Sequence, residues 1–164
     1  MTYWYYLNVT LHVLAAMLWL GGMFFLAAVG APVLRSVEPP ELRARLFRQL
    51  GEQFRKVGWC AIAVLLVTGV VNLYFRGLLR GDVWGNAAFW RTSLGHALGW
   101  KLASVTIMVG ISGFHDFISG PAASRLQPGS PAAAQARRRA ALLARINAIV
   151  GIVLVVAAVR LARG

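Results

Sequence analysis

No charged residue occurs between Met1 and Leu34 of this chain, and a second uncharged run extends from Val57 to Phe75. Such runs constrain the fold more than any other feature. About 20 apolar residues in a helix cross the ~30 Å hydrocarbon of a bilayer, and a helix satisfies its own backbone hydrogen bonds there. A third apolar stretch, Leu94 to Ser119, is interrupted only by Lys101, Asp116 and two histidines. A fourth, Ile146 to Val159, lies between Arg145 and Arg160, whose side chains can snorkel to the two interfaces. The pattern predicts four transmembrane helices over about residues 4–28, 57–76, 98–119 and 141–161, within one integral membrane domain, 1–164. The expected fold is an all-α four-transmembrane-helix bundle. A signal peptide would open with a basic region, but no Lys or Arg precedes Arg35, so the first segment is expected to be a retained helix.

Composition separates this reading from its rivals. Charged residues make up 13% of the chain, about half the ~25% of a soluble domain, yet the net charge is +12. A basic nucleic-acid binder would carry more Lys and fewer apolar residues, so no nucleic-acid partner is expected. The apolar content of 59% excludes intrinsic disorder, and the single Cys60 excludes a disulfide scaffold.

The basic residues report topology. Arg35, Arg43, Arg45, Arg48, Arg55 and Lys56 follow the first span; Arg125, Arg137, Arg138, Arg139 and Arg145 follow the third. That places eleven on one side against six on the other, namely Arg76, Arg80, Arg91, Lys101, Arg160 and Arg163. The positive-inside rule puts both connections in the cytoplasm and both termini outside, as in a multi-pass protein of a bacterial inner membrane. Tyr3 to Tyr6, Trp84, Phe89 and Trp90 suit the outer aromatic belt. Pro39-Pro40 can start a helix, and Leu42, Leu46, Leu50 and Phe54 then recur every four residues. This predicts an amphipathic cytoplasmic extension running into the second span and facing lipid. Residues 121–131 read as a linker, and Ala132 to Ala144 as a helical approach to the fourth span.

Ionisable residues at membrane depth are costly, so each is a candidate for function. Tyr5, Asn8, His12, Ala15, Trp19 and Gly22 share one face of the first helix. Lys101, Ser104, Met108, Ser112 and His115 share another on the third, within ~80° of arc. The second span adds Thr68 and Asn72; the fourth adds Arg145 and Asn147. At 1.5 Å per residue, His12 and Met108 lie ~12 and ~13 Å below the outer surface, and His115 ~24 Å. An outer-half site of His12, Met108 and Lys101 is therefore easier to build than a His12–His115 pair. His115, Asp116 and Arg145 would form an inner cluster. Imidazole and thioether suit haem iron or copper, and a buried cation could neutralise a haem propionate. The alternative is that His12 hydrogen-bonds Asn8, a tyrosine or a backbone carbonyl and only joins helices. His96 lies in or beside the outer loop. No phosphate loop, paired-Cys motif or carboxylate pair marks an enzyme, so enzymatic activity stays open.

Leu11-His12-Val13 followed by Trp19-Leu20-Gly21-Gly22-Met23-Phe24-Phe25 resembles the first helix of CopD-like membrane proteins. Val67-Thr68-Gly69 and Gly99-Trp100-Lys101-Leu102 continue the likeness. The helix order and Phe114-His115-Asp116 are also similar to HemJ proteins, although HemJ carries a Lys where this chain has Val9. CopD resemblance implies copper uptake or tolerance with His12 as ligand. HemJ resemblance implies haem b, with His12 and His115 as ligands, Lys101 in support, and protoporphyrinogen oxidation. The combined expectation is a membrane protein that binds haem b or copper and serves electron transfer or copper handling. His12, Met108 and His115 are the metal-ligand candidates, with Lys101, Trp19 and Arg145 lining the cofactor. Expected partners are membrane lipids, a redox partner or periplasmic copper protein, or a second copy of the chain. A noncatalytic membrane scaffold or accessory subunit is the reading from another class.

Overall fold

The computed structural model describes residues 2–120, 126 and 130–163. The predicted linker, 121–131, lies mostly outside the described residues. Among those described the chain is all-α, with helices α1 (Thr2–Phe25), α2 (Ala31–Arg35), α3 (Pro40–Phe75), α4 (Gly81–Trp84), α5 (Ala87–Trp90), α6 (Ser93–Phe114) and α7 (Pro131–Arg163). Four helical stretches are long and apolar enough to cross a membrane: Tyr3–Arg35, Pro40–Phe75, Ser93–Ser119 and Pro131–Arg163. Two compact units result, Met1–Gly85 and Asn86–Gly164, each built on one helical hairpin.

In the first unit α1 and α3 pack antiparallel. α1 continues into α2 through a π-helical turn, Leu26–Gly30. The cause is Pro32, which has no N–H and whose ring conflicts with the carbonyl four residues back. A widened turn immediately before it relieves that conflict. α3 starts with Pro40 at its first position and Glu41 in its first turn, both suited to the positive end of the helix dipole. It has 36 residues, about 54 Å at the α-helical rise, well beyond the ~30 Å hydrocarbon. The amphipathic extension and the second span are therefore one continuous helix. Gly22 lets it approach: a Cβ there would fall 2.5 Å from Phe54 Cε2. Arg43 pairs with Glu38 at 3.3 Å and donates to the Arg35 carbonyl at 3.2 Å, bracing the turn that leads into α3.

α3 ends in a Schellman-type cap. Gly77 takes φ +67°, and the Leu78 amide donates to the Leu73 carbonyl at 2.9 Å. Trp84 Nε1 then donates to the Leu78 carbonyl at 2.6 Å and ties α4 to this corner.

In the second unit α6 packs on α7. Thr92 caps α6, its hydroxyl accepting from the Gly95 amide at 3.0 Å. Gly95 is obligatory by close approach: an added Cβ would lie 2.8 Å from Trp90 Cα and closer still to the Phe89 carbonyl oxygen. A second π-helical turn, His115–Ser119, follows α6. Of the most apolar window of each spanning helix, only 17–22% is buried within the protein. Side chains such as Leu14, Met17, Val67, Ile149 and Ile152 remain exposed. Hydrocarbon is the solvent in which such surfaces are stable, so membrane residence follows from the fold as well as from composition.

Candidate functional site

The polar residues of the first unit form a ladder between α1 and α3. Asn8 Nδ2 donates to the Thr68 carbonyl at 3.0 Å and to Asn72 Oδ1 at 2.9 Å. One turn along, His12 Nδ1 lies 2.7 Å from Thr68 Oγ1. The i, i+4 spacing on both helices makes the two rungs: Asn8 and His12 on α1, Thr68 and Asn72 on α3.

The ladder assigns the histidine's tautomer. Thr68 Oγ1 lies 2.6 Å from the Val64 carbonyl oxygen. A carbonyl only accepts, so the single hydroxyl proton goes to Val64. Thr68 Oγ1 is therefore the acceptor toward His12, and Nδ1 carries the imidazole proton. When the ring is neutral, its lone pair is on Nε2. Thr68 is buried and His12 half-buried. Gly69 runs beneath the ring, since a Cβ there would sit 3.5 Å from His12 Cε1. Two turns further along α1, Trp19 is 3% exposed, with Gly58 of α3 against its indole. It serves as a packed spacer between the helices.

The second unit holds the other candidates. On α6, Met108 is fully buried, Ser104 is 3% exposed, and Lys101 is half-buried. His115 opens the π-helical turn, is exposed, and pairs with Asp116 at 3.0 Å. Arg145 is exposed on α7, and Asn147 is buried there. His12 and Trp19 thus belong to one unit, and Lys101, Met108, His115 and Arg145 to the other. Among the described residues, no three of His, Cys, Asp and Glu gather as a metal cluster. Thr68 and Asn72 are the residues that sequence reasoning left without a role at the site. Their i, i+4 spacing opposite His12 was the available signal.

The fold and this ladder define a class: a polytopic membrane protein with a histidine held by neutral polar groups between spanning helices. The copper resistance protein D family model, CopD, matches residues 48–161. The chain belongs to the CopD family. The matched residues take in most of α3, all of α6 and most of α7, whereas α1 with His12 precedes them. An uncharacterized protein of Aquifex aeolicus (strain VF5) is 36% identical over 111 residues, covering 67% of this chain and 66% of that protein. No solved structure matches. The CopD resemblance of the sequence is thereby established at the level of family; the match does not extend to HemJ.

Proposed function

We propose that this protein handles copper within a bacterial inner membrane, and that His12 meets the ion through Nε2. The observation that carries the reading is the fixed tautomer: Thr68 takes the Nδ1 proton, and Nε2 holds the lone pair that a metal requires. Family membership supplies the metal, copper, as cargo. The donors suit it. Around His12 stand neutral amides and a hydroxyl, and the second unit offers a buried thioether, Met108. Imidazole suits copper and a thioether suits Cu(I), each on its own, and neither is a ligand that Ca²⁺ or Mg²⁺ prefers. Met108 is proposed as a second, separate ligand. The basic residues set the orientation, with both termini outside.

The test is copper content and Cu(I) competition titration on the purified full-length chain, with the visible spectrum recorded on the same sample. We expect bound copper in the wild type and its loss in His12→Ala. Absence of copper after expression in copper-supplemented medium refutes the reading. A Soret band would transfer the site to haem b instead, and a colourless, metal-free protein that brings a partner with it would favour the scaffold.

A further inference from the structure

Away from the ladder, the second unit carries an open groove of about 830 Å³ between α6 and α7. Both helices contribute residues at i, i+3, i+4 and i+7: Ser93, His96, Ala97 and Trp100 from α6, and Val153, Val156, Ala157 and Arg160 from α7. The two alanines are buried and form its floor; their small side chains are why a hollow exists there. Trp100, Val153 and Val156 are apolar, substantially exposed walls. Ser93, His96 and Arg160 are exposed at one end. The groove is therefore amphiphilic along its length, with a hydroxyl, an imidazole and a guanidinium at one end and hydrocarbon beyond.

Depth identifies what fits. Arg160 closes the uncharged run Ile146 to Val159 and so stands at the edge of the hydrocarbon. Val156 and Val153 lie ~6 and ~10 Å further toward the membrane centre at the helical rise. A phospholipid presents its charges in the same order, with phosphate at the edge and acyl chain inward. Among the described residues no carboxylate pairs with Arg160. Trp100 has the amphipathic ring that favours this level of a membrane.

We propose that the groove is a seat for one anionic phospholipid. Its phosphate lies against Arg160, with Ser93 and His96 as further hydrogen-bonding groups, and one acyl chain lies along Val156 and Val153. This is independent of the copper reading and involves no residue of the His12 ladder.

The experiment is native mass spectrometry of the full-length protein titrated with phosphatidylglycerol or with phosphatidylcholine. We expect one phosphatidylglycerol to be retained in preference to phosphatidylcholine by about fivefold, the worth of one cation at an anionic interface. Arg160→Gln should abolish the preference and Arg160→Lys should keep it. Val156→Trp, which fills the groove and leaves the cations intact, should lower retention of both lipids. Arg45→Gln/Arg48→Gln, remote in sequence and in the other unit, should leave the preference unchanged. The proposal is overturned if Arg160→Gln retains the preference, if the Arg45/Arg48 double variant loses as much, or if soluble glycerol phosphate displaces the lipid. Circular dichroism and a monodisperse elution profile identify any variant that fails to fold; Val156→Trp and Arg160→Gln are each sufficient to decide.

Discussion

Thr68→Val tests the ladder most directly, because it removes one hydroxyl and little volume. Two short bonds disappear, along with a longer contact of 3.4 Å to the Leu65 carbonyl. The one to the Val64 carbonyl (2.6 Å) is the lesser loss, since that carbonyl lies within α3 and its place in the helix is unchanged. The one from His12 Nδ1 (2.7 Å) leaves an imidazole N–H facing a methyl group. Leaving a buried donor unpaired costs about 1–3 kcal/mol, but His12 is only half-buried. Side-chain bonds between membrane helices average ~0.6 kcal/mol in double-mutant cycles, with a maximum near ~1.7. We therefore expect a coupling of about 0.6–1.7 kcal/mol between His12→Ala and Thr68→Val, read from equilibrium unfolding in mixed micelles. Histidine-selective ¹⁵N NMR should show Nδ1 protonated and Nε2 unprotonated in the wild type, with that bias lost in Thr68→Val and kept in Thr68→Ser. Loss of a group that orients a ligating histidine typically costs 10–100-fold in metal affinity, so Cu(I) binding should weaken by about that factor. A wild-type spectrum with the proton on Nε2, or a coupling indistinguishable from zero, would refute the tautomer argument. Unchanged copper affinity in Thr68→Val with the tautomer altered would separate the ladder from the metal.

Gly95→Ala should destabilise the second unit by about 1–3 kcal/mol, because the new methyl meets the backbone of Phe89 and Trp90 rather than a movable side chain; thermal unfolding with an intact melting point would contradict it. Gly22→Ala and Gly21→Ala should differ in sign. The first pushes the Phe54 ring, while nothing lies within 4 Å of the second, so Gly21→Ala should be neutral or stabilising by about 0.5–1 kcal/mol. Alkaline phosphatase fused after Arg163 should be active, and fused within residues 121–131 inactive; the reverse pattern would invert the orientation drawn from the basic residues.

The first two spans were legible because a charge in hydrocarbon is so costly that its absence over 19 or more residues admits few other folds; the third and fourth were read from apolar stretches that Lys101, Asp116, Arg145 and Arg160 interrupt or bound. The cytoplasmic extensions were legible as well: α3 begins at Pro40, as the Pro39-Pro40 signal predicts, and α7 at Pro131, as the helical approach from Ala132 predicts, both ahead of the apolar runs at Val57 and about residue 141. Arg, Leu, Gln and Ala are good helix formers, so the helix continues past the hydrocarbon where the hydropathy signal stops. The face of α1 bearing Asn8, His12 and Trp19 could be read from the 3.6-residue period. Its partners Thr68 and Asn72 could not be assigned, because the pairing depends on the register of an antiparallel hairpin, which no local pattern sets. The stripe on α6 illustrates the opposite limit. Lys101, Ser104 and Met108 lie on a regular helix, but His115 opens a π-helical turn and ends exposed beside Asp116. His115 itself keeps the 100° phase of the stripe, its amide still bonding the Ile111 carbonyl; the i→i+5 turn changes the phase only beyond it, and nothing in His115-Asp116-Phe117 announces that turn. The family match and the ladder are thus complementary. The match covers residues 48–161 and supplies copper without His12. The ladder supplies an oriented imidazole without naming a metal. Thr68 belongs to both, inside the matched region and bonded to His12, which makes its hydroxyl the group whose removal bears on the two arguments at once.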